Sequence, residues 1–169
     1  MRKPLLTTQF LDRARRDYGS HEAVVATTGE RFTYEEVGER ADRLSAALQD
    51  RGIEKGDSVA VLDPNTHYQL EAAYGIMQLG AIHTPLNYRL LPEDLEYILN
   101  DADVRAVIAD YELAEKVEAV RDDVPTEVFI SNDADATDGE WEDFEAAIDG
   151  VDPDYDEPEM DEDDVITIN

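Results

Sequence analysis

The sequence predicts an α/β domain with a mostly parallel sheet and flanking helices, and three observations lead to this prediction. Short apolar runs typical of strands alternate with amphipathic stretches long enough for helices. One run, Val104–Ala109, is apolar at almost every position, as in strands buried on both faces. The chain has 169 residues, 42% of them hydrophobic, which is enough to bury a sizeable core.

The N-terminal elements are a short helix and a hairpin. Residues 7–18 predict a helix with four apolar side chains on one side: Phe10, Leu11, Ala14 and Tyr18. Residues 23–27 and Arg31–Thr33 are typical of two short strands joined around Gly29.

The next helix has the clearest start and end. Thr33 and Glu36 form a capping-box pair, and Gly52 suits the position just after the last turn. One apolar stripe is predicted to face inward: Val37, Ala41, Leu44 and Leu48. Two i,i+4 ion pairs are expected on its surface: Glu36 with Arg40, and Glu39 with Arg43.

The middle of the chain continues the alternation. Ser58–Leu62 predicts a strand, and Thr66 with Gln69 predicts a second capping box. The helix that follows, ending at Gly80, is expected to bury four side chains: Leu70, Ala73, Tyr74 and Met77. A strand at 81–84 then precedes a helix that opens at Pro92 and buries four more: Leu95, Ile98, Leu99 and Ala102. Strand Val104–Ala109, a helix at 111–120 and a strand at 126–130 follow.

The charge is strongly negative and unevenly distributed. The net charge is −28; residues 133–169 hold 17 acidic and no basic residues, which leaves 25 acidic and 14 basic residues, a net −11, in residues 1–132. This excludes nucleic-acid and anionic-membrane binding, and no apolar run is long enough for a transmembrane segment. We expect three parts: a first domain portion at 1–131, an acidic connecting segment with a short helix at 132–163, and a strand at 164–169.

Few residues suggest chemistry on their own. No P-loop, G-x-G-x-x-G or nucleophile-elbow pattern occurs, and the absence of Cys removes thiol chemistry. His67 is expected to be solvated or capping, and His83 to be a hydrogen-bonded structural residue. Trp141 is expected to pack with its helical neighbours Phe144 and Ile148.

Two acidic clusters resemble cation sites only superficially. The first has the wrong spacing for a calcium loop and is expected to be a solvated loop: Asp133, Asp135, Asp138, Gly139 and Glu145. The second lacks a turn that would make its carboxylates converge: Asp161, Glu162, Asp163 and Asp164. We therefore predict no metal site in this chain.

Several ordered motifs resemble the AMP-forming acyl-CoA synthetases of the adenylate-forming superfamily. The motifs are FTYEEV at 32–37, GDSVAVL at 56–62 and QLGAIHTPLN at 78–87. Four further motifs resemble the medium- and long-chain fatty-acid branch in particular: PNTH at 64–67, LEAAYG at 70–75, LNYRL at 86–90 and ITIN at 166–169. The resemblance covers about residues 5–131 and resumes at 161–169.

This resemblance implies a function for a longer protein. It implies a fatty acid–CoA ligase that uses ATP, Mg²⁺ and CoA and forms an acyl-adenylate, and we expect this chain to be an N-terminal fragment ending just before the phosphate-binding loop. It implies no catalytic residue in this chain and one candidate cofactor contact, Arg89 with a CoA phosphate. The open alternatives are a stand-alone acidic α/β binding module and an adenylation domain that loads a carrier protein.

The acidity and the cellular setting are separate expectations. Dense carboxylates throughout the chain, with eleven Arg against three Lys, favour a cytoplasmic protein of a salt-loving microbe. The alternative is an ordinary protein with an acidic tail. The acyl chain length and the oligomeric state are not encoded in any of these patterns, and a homodimer is one open alternative.

Overall fold

A computed structural model describes residues 4–169, which form a five-stranded parallel sheet with helices on both faces. The sheet strands are β3 (Ser58–Leu62), β4 (Ile82–Pro85), β5 (Val104–Ala109), β6 (Val128–Ser131) and β7 (Glu142–Asp143), in the spatial order β4-β3-β5-β6-β7. Before them, β1 (Glu22–Val25) and β2 (Arg31–Thr33) form an antiparallel hairpin. The predicted α/β class and the parallel sheet are confirmed.

Six α-helices are described in this part of the chain. They are α1 (Gln9–Tyr18), α2 (Tyr34–Asp50), α3 (His67–Gln78), α4 (Pro92–Asp101), α5 (Tyr111–Glu118) and α6 (Phe144–Ile148). None of the described helices is long and apolar enough to cross a bilayer.

The core has two main layers, one on each face of the sheet. Along β3, Val59 and Val61 pack toward α2, α3 and α6, while Ala60 and Leu62 pack toward α4 and α5. This alternation follows from the two-residue period of a strand, and it explains why a strand covered on both faces is apolar throughout.

The predicted ends of α2 are confirmed, and one of its two ion pairs is not. Thr33 Oγ1 accepts the Glu36 N–H at 3.2 Å, while the Glu36 carboxylate accepts the Thr33 N–H at 2.7 Å. Glu39 pairs with Arg43 at 2.6 Å as predicted. Arg40 instead pairs with acids on other helices, the buried Glu71 and the half-exposed Glu145.

The predicted apolar faces of α1 and α3 are wrong in part. Phe10 and Tyr18 are each 57% exposed, so Leu11 is the buried residue of α1. On α3, Leu70 is exposed, and the buried face runs through Glu71, Ala72, Gly75, Ile76 and Met77. This face carries the buried carboxylate of Glu71, whereas a charged residue normally indicates the solvent side.

Two predicted features near α3 and at the end of the chain also differ. The second capping box does not form, because the N–H and hydroxyl of Thr66 both donate to Asp63. The predicted strand at 164–169 is reduced to a single parallel bridge between Thr167 and His83 on the β4 edge.

The acidic stretch after residue 132 is tied to the sheet. Glu142 and Asp143 pair with β6, and the fully buried Phe144 brings α6 against the core layer of α2 and α3. Trp141 donates its indole N–H to Glu118 at 2.9 Å and packs its ring edge-on against Phe129. Trp141 packs as predicted, but its predicted partners are wrong, because Phe144 and Ile148 belong to the core layer on the other face of the sheet. Part of the expected connecting segment belongs to the sheet.

Candidate functional site

The carboxyl ends of three neighbouring strands carry polar side chains. Asp63 follows β3, Asp110 follows β5 and Asn132 follows β6. Asn132 Nδ2 donates to Asp110 Oδ2 at 2.9 Å, and the Tyr111 N–H donates to Asn132 Oδ1 at 2.8 Å. Asp63 accepts the N–H and hydroxyl of Thr66 at 2.5 and 2.6 Å. These bonds fix the turns at the edge where open α/β sheets bind ligands.

This edge is negatively charged and partly desolvated. Burial raises the pKa of Asp63, the neighbouring charge of Asp110 adds to the effect, and the bonds from Thr66 oppose it. Sequence reasoning did not single out the two aspartates. Their position in the sequence could have indicated them, since each is the first polar residue after a buried parallel strand.

A cleft of about 540 Å³ lies beside this edge, between the hairpin and the start of α3. His67 contributes to its wall and is only 8% exposed, with its ring 4.9 Å from the Phe32 ring and 4.0 Å from the Tyr68 ring, centroid to centroid. Burial lowers the pKa of His67, and the charge of Arg40 acts in the same direction. The predicted solvated or capping role is therefore wrong, because the side chain is packed between aromatic rings.

A partly buried ionic cluster joins three helices. Arg40 on α2 donates to both carboxylate oxygens of Glu145 on α6, at 2.8 and 2.6 Å. Its Nη2 also lies 3.0 Å from Glu71 Oε2 on α3, and Glu71 is fully buried. Burial raises the pKa of Glu71 to about 7 in spite of the attraction of Arg40. Neither oxygen of Glu71 accepts a well-oriented hydrogen bond, so this carboxylate is the least satisfied charge in the core.

His83 lies on β4, the edge strand of the sheet. Its Nε2 is 3.2 Å from Gln69 Nε2, and the side chain is only 8% exposed, which agrees with the structural role expected from the sequence. Its backbone N–H donates to the Ile166 carbonyl at 2.9 Å, and its backbone carbonyl accepts the Ile168 N–H at 3.2 Å. The terminal residues therefore lie against the β4 edge.

The loop after β4 carries the candidate cofactor contact. Arg89 is exposed, and its guanidinium carbon lies 5.3 Å from the centre of the Tyr88 ring. Asn87 Oδ1 accepts the Arg89 N–H at 3.0 Å, which fixes the turn at its start. The ion pairs of the described residues do not include Arg89, so its guanidinium is available to an anion.

A second cleft, of about 410 Å³, lies next to this loop. Apolar side chains of the loop, of α4 and of the terminal segment form much of its wall: Leu86, Leu90, Ile98, Ala102 and Ile168. Asn87 and Asn169 also line it. Thus the end of β4, the last residues of the chain and the loop of Arg89 meet at one place.

The two acidic clusters considered in the sequence take part in other contacts. Asp133 Oδ1 accepts the Ala136 N–H at 3.1 Å, and both carboxylate oxygens of Glu145 accept hydrogen bonds from Arg40. Asp164 Oδ2 accepts the Lys55 ammonium at 2.6 Å and the Asp161 N–H at 2.8 Å. Within residues 4–169, no three His, Asp or Glu side chains are grouped to hold a metal ion.

Comparison with known proteins places the chain in a family. The family model described as AMP-binding enzyme matches residues 11–169. A long-chain-fatty-acid–CoA ligase of Thermus thermophilus is 39% identical over 134 residues, covering 77% of this chain and 25% of that protein. A 3-oxocholest-4-en-26-oate–CoA ligase of Rhodococcus rhodochrous is 30% identical over 146 residues, covering 83% of this chain and 26% of that protein. The chain thus spans about a quarter of the length of these relatives.

Solved structures show the same fold. An anthranilate CoA ligase in complex with anthranoyl-AMP superposes with a TM-score of 0.90 at 21% identity, over 100% of this chain and 32% of that chain. A Mycobacterium tuberculosis fatty acyl CoA synthetase superposes with a TM-score of 0.78 at 27% identity, over 95% of this chain and 31% of that chain. The parallel sheet and its helices match the N-terminal domain of adenylate-forming enzymes, and the chain belongs to the AMP-binding enzyme family.

Proposed function

We propose that this chain is part of an AMP-forming fatty acid–CoA ligase. The carboxylate of a fatty acid attacks the α-phosphorus of ATP, giving acyl-adenylate and pyrophosphate. The CoA thiol then attacks the acyl carbonyl and displaces AMP, giving the thioester. The observation that carries this proposal is the family match over residues 11–169, together with relatives whose names are CoA ligases.

In this proposal the chain supplies part of the folded domain and one residue, Arg89, that contacts a ligand. ATP and Mg²⁺ would be held by residues outside it, because these 169 residues contain no phosphate-binding loop pattern. Arg89 would contact a phosphate group of CoA. Its exposure and its lack of a carboxylate partner support this role, since a guanidinium binds phosphate oxygens in pairs.

The test uses Arg89→Ala in the full-length protein, with Arg13→Ala as the matched control. Arg13 is also an exposed arginine without an ion pair among the described residues, and it lies on α1. We expect Arg89→Ala to raise the KM for CoA by roughly tenfold, the value of one charge-assisted contact. Fatty-acid-dependent exchange of pyrophosphate into ATP should remain unchanged. An unaltered response to CoA would remove the proposed contact.

The substrate class needs its own assay, because the relatives carry different names. Acyl-CoA formation should be measured with fatty acids of increasing length, with aromatic acids, and with a carrier protein replacing CoA. The proposal expects thioester formation with fatty acids and free CoA. Transfer to the carrier protein alone would favour a loading domain, and no adenylation with any acid would favour a binding module.

A cytoplasmic, salt-adapted protein is the second part of the proposal. The net charge of −28 supports it, because self-repulsion destabilises a compact chain at low salt and is screened at molar salt. Circular dichroism between low and multi-molar KCl tests this. Helical signal should rise with KCl, and a signal that is indifferent to salt would refute salt adaptation without affecting the ligase assignment.

A further inference from the structure

The loop that carries Arg89 is held by a lysine from a different element. Lys116 lies in the last turn of α5, and its ammonium donates to the Tyr88 carbonyl at 2.6 Å and to the Leu90 carbonyl at 3.0 Å. These two carbonyls belong to the residues on either side of Arg89. One ammonium therefore fixes the peptide groups that flank the exposed guanidinium.

The other side of the turn is fixed by Asn87. Its side chain accepts the Arg89 N–H at 3.0 Å, and its backbone carbonyl accepts the Leu90 N–H at 3.0 Å. A large change in the backbone dihedral angles of Arg89 would strain or break at least one of these bonds. Exposed loops normally lack this degree of restraint.

The described hydrogen bonds of Lys116 include no carboxylate. The chain has 42 acidic residues, yet the described hydrogen bonds of Lys116 are to two neutral carbonyls. Lys55, by contrast, bonds the carboxylate of Asp164 in addition to the backbone carbonyl of Glu159. Hydrogen bonds from a charged donor are stronger than neutral ones, so two of them make an effective restraint.

The geometry points to Lys116 as a positioning residue for Arg89. This inference rests on the proposed contact between Arg89 and a CoA phosphate. Lys116 itself need not touch the ligand. A guanidinium on a fixed backbone loses less conformational freedom when it binds an anion, so the restraint improves affinity without adding a contact.

The test compares three variants of the full-length protein. Lys116→Gln removes the charged donor, Lys116→Arg keeps it, and Arg13→Gln removes a positive charge elsewhere on the surface. We expect Lys116→Gln to raise the KM for CoA by about threefold to tenfold, the range given by the ordering cost of one long side chain. Pyrophosphate exchange should stay unchanged. Lys116→Arg should restore the KM, and Arg13→Gln should leave it alone.

Two further measurements separate positioning from general stability. Amide hydrogen exchange at residues 87–91 should become about tenfold faster in Lys116→Gln, without a change in the sheet strands. Combined with Arg89→Ala, Lys116→Gln should add no further increase in KM, because the lysine acts through the arginine. Additive effects, or a drop in melting temperature with loss of pyrophosphate exchange, would overturn the inference.

The outcomes also separate this inference from the proposed function. If Arg89→Ala leaves the KM for CoA unchanged, the proposed contact fails and the positioning role fails with it. If Arg89→Ala raises the KM while Lys116→Gln does not, the contact stands and the positioning role alone is refuted.

Discussion

The buried carboxylate of Glu71 predicts a stability that falls as pH rises. The pKa of Glu71 is raised by burial from its ordinary 4.5 to about 7. At 1.36 kcal/mol for each pH unit this corresponds to about 3 kcal/mol. The folded state binds the proton more tightly than the unfolded state, so this stabilisation is full below about pH 4.5 and is lost as pH rises through about 7.

Glu71→Gln isolates this effect, because glutamine has the shape of the protonated acid and cannot ionise. Arg40 keeps its two bonds to Glu145 in the variant, so no cation is left without a partner. We expect the variant to be more stable than the wild type by about 2–3 kcal/mol at pH 8 and by less than about 1 kcal/mol at pH 5. The gain should grow steadily between these pH values.

The assay is urea unfolding followed by circular dichroism at pH 5 and pH 8 in the same concentration of KCl. Glu39→Gln is the matched control. Glu39 also pairs with an arginine, Arg43, at 2.6 Å, but its side chain is 46% exposed and therefore not buried like that of Glu71. It should show no such pH-dependent gain. If Glu71→Gln is less stable than the wild type at pH 8, the attraction of Arg40 outweighs the cost of burial and the reasoning is refuted.

Substitutions at three other positions test the helix cap and the packing. Thr33→Ala should cost about 1 kcal/mol of unfolding free energy through loss of the capping bond, while Thr33→Ser should not. Gly75→Ala should cost about 1–3 kcal/mol, because its Cβ would lie 2.9 Å from Leu44 Cδ2 and 3.1 Å from the Ala41 carbonyl. Phe144→Ala should cost about 3–5 kcal/mol, since that ring is fully buried. Urea unfolding measures each, and a value near zero for Thr33→Ala, Gly75→Ala or Phe144→Ala would contradict the capping or packing described.

The sequence was most informative where structure depends on local chemistry. Thr33 and Glu36 are three residues apart and stabilise each other, so the start of α2 could be predicted without knowledge of the rest of the chain. The apolar run Val104–Ala109 likewise specified a strand covered on both faces. Such features require no partner from a distant part of the sequence.

Several of the failures share one physical origin, which is that distant residues decide the outcome. Arg40 was expected to pair with Glu36 one turn away, but Glu145, more than a hundred residues later, folds against it. The buried face of α3 includes the charged Glu71, which Arg40 from α2 accompanies into the core. The polar edge formed by Asp110 and Asn132 depends on strand order in the same way.

The use of positive charge in this chain also bears on the candidate site. Most arginines of the described residues contact a carboxylate, as acidic residues outnumber basic ones three to one. Exposure alone does not distinguish Arg89 from other arginines, since Arg13 is also exposed and also lacks an ion pair among the described residues. What sets it apart is the loop, which Asn87 and Lys116 fix through four hydrogen bonds at the carboxyl end of β4. A charge that only keeps the surface hydrated gains nothing from a fixed backbone, whereas a side chain that binds a ligand gains affinity from it. Comparing the KM for CoA of the Arg89 and Arg13 variants therefore separates ligand binding from a general effect of surface charge.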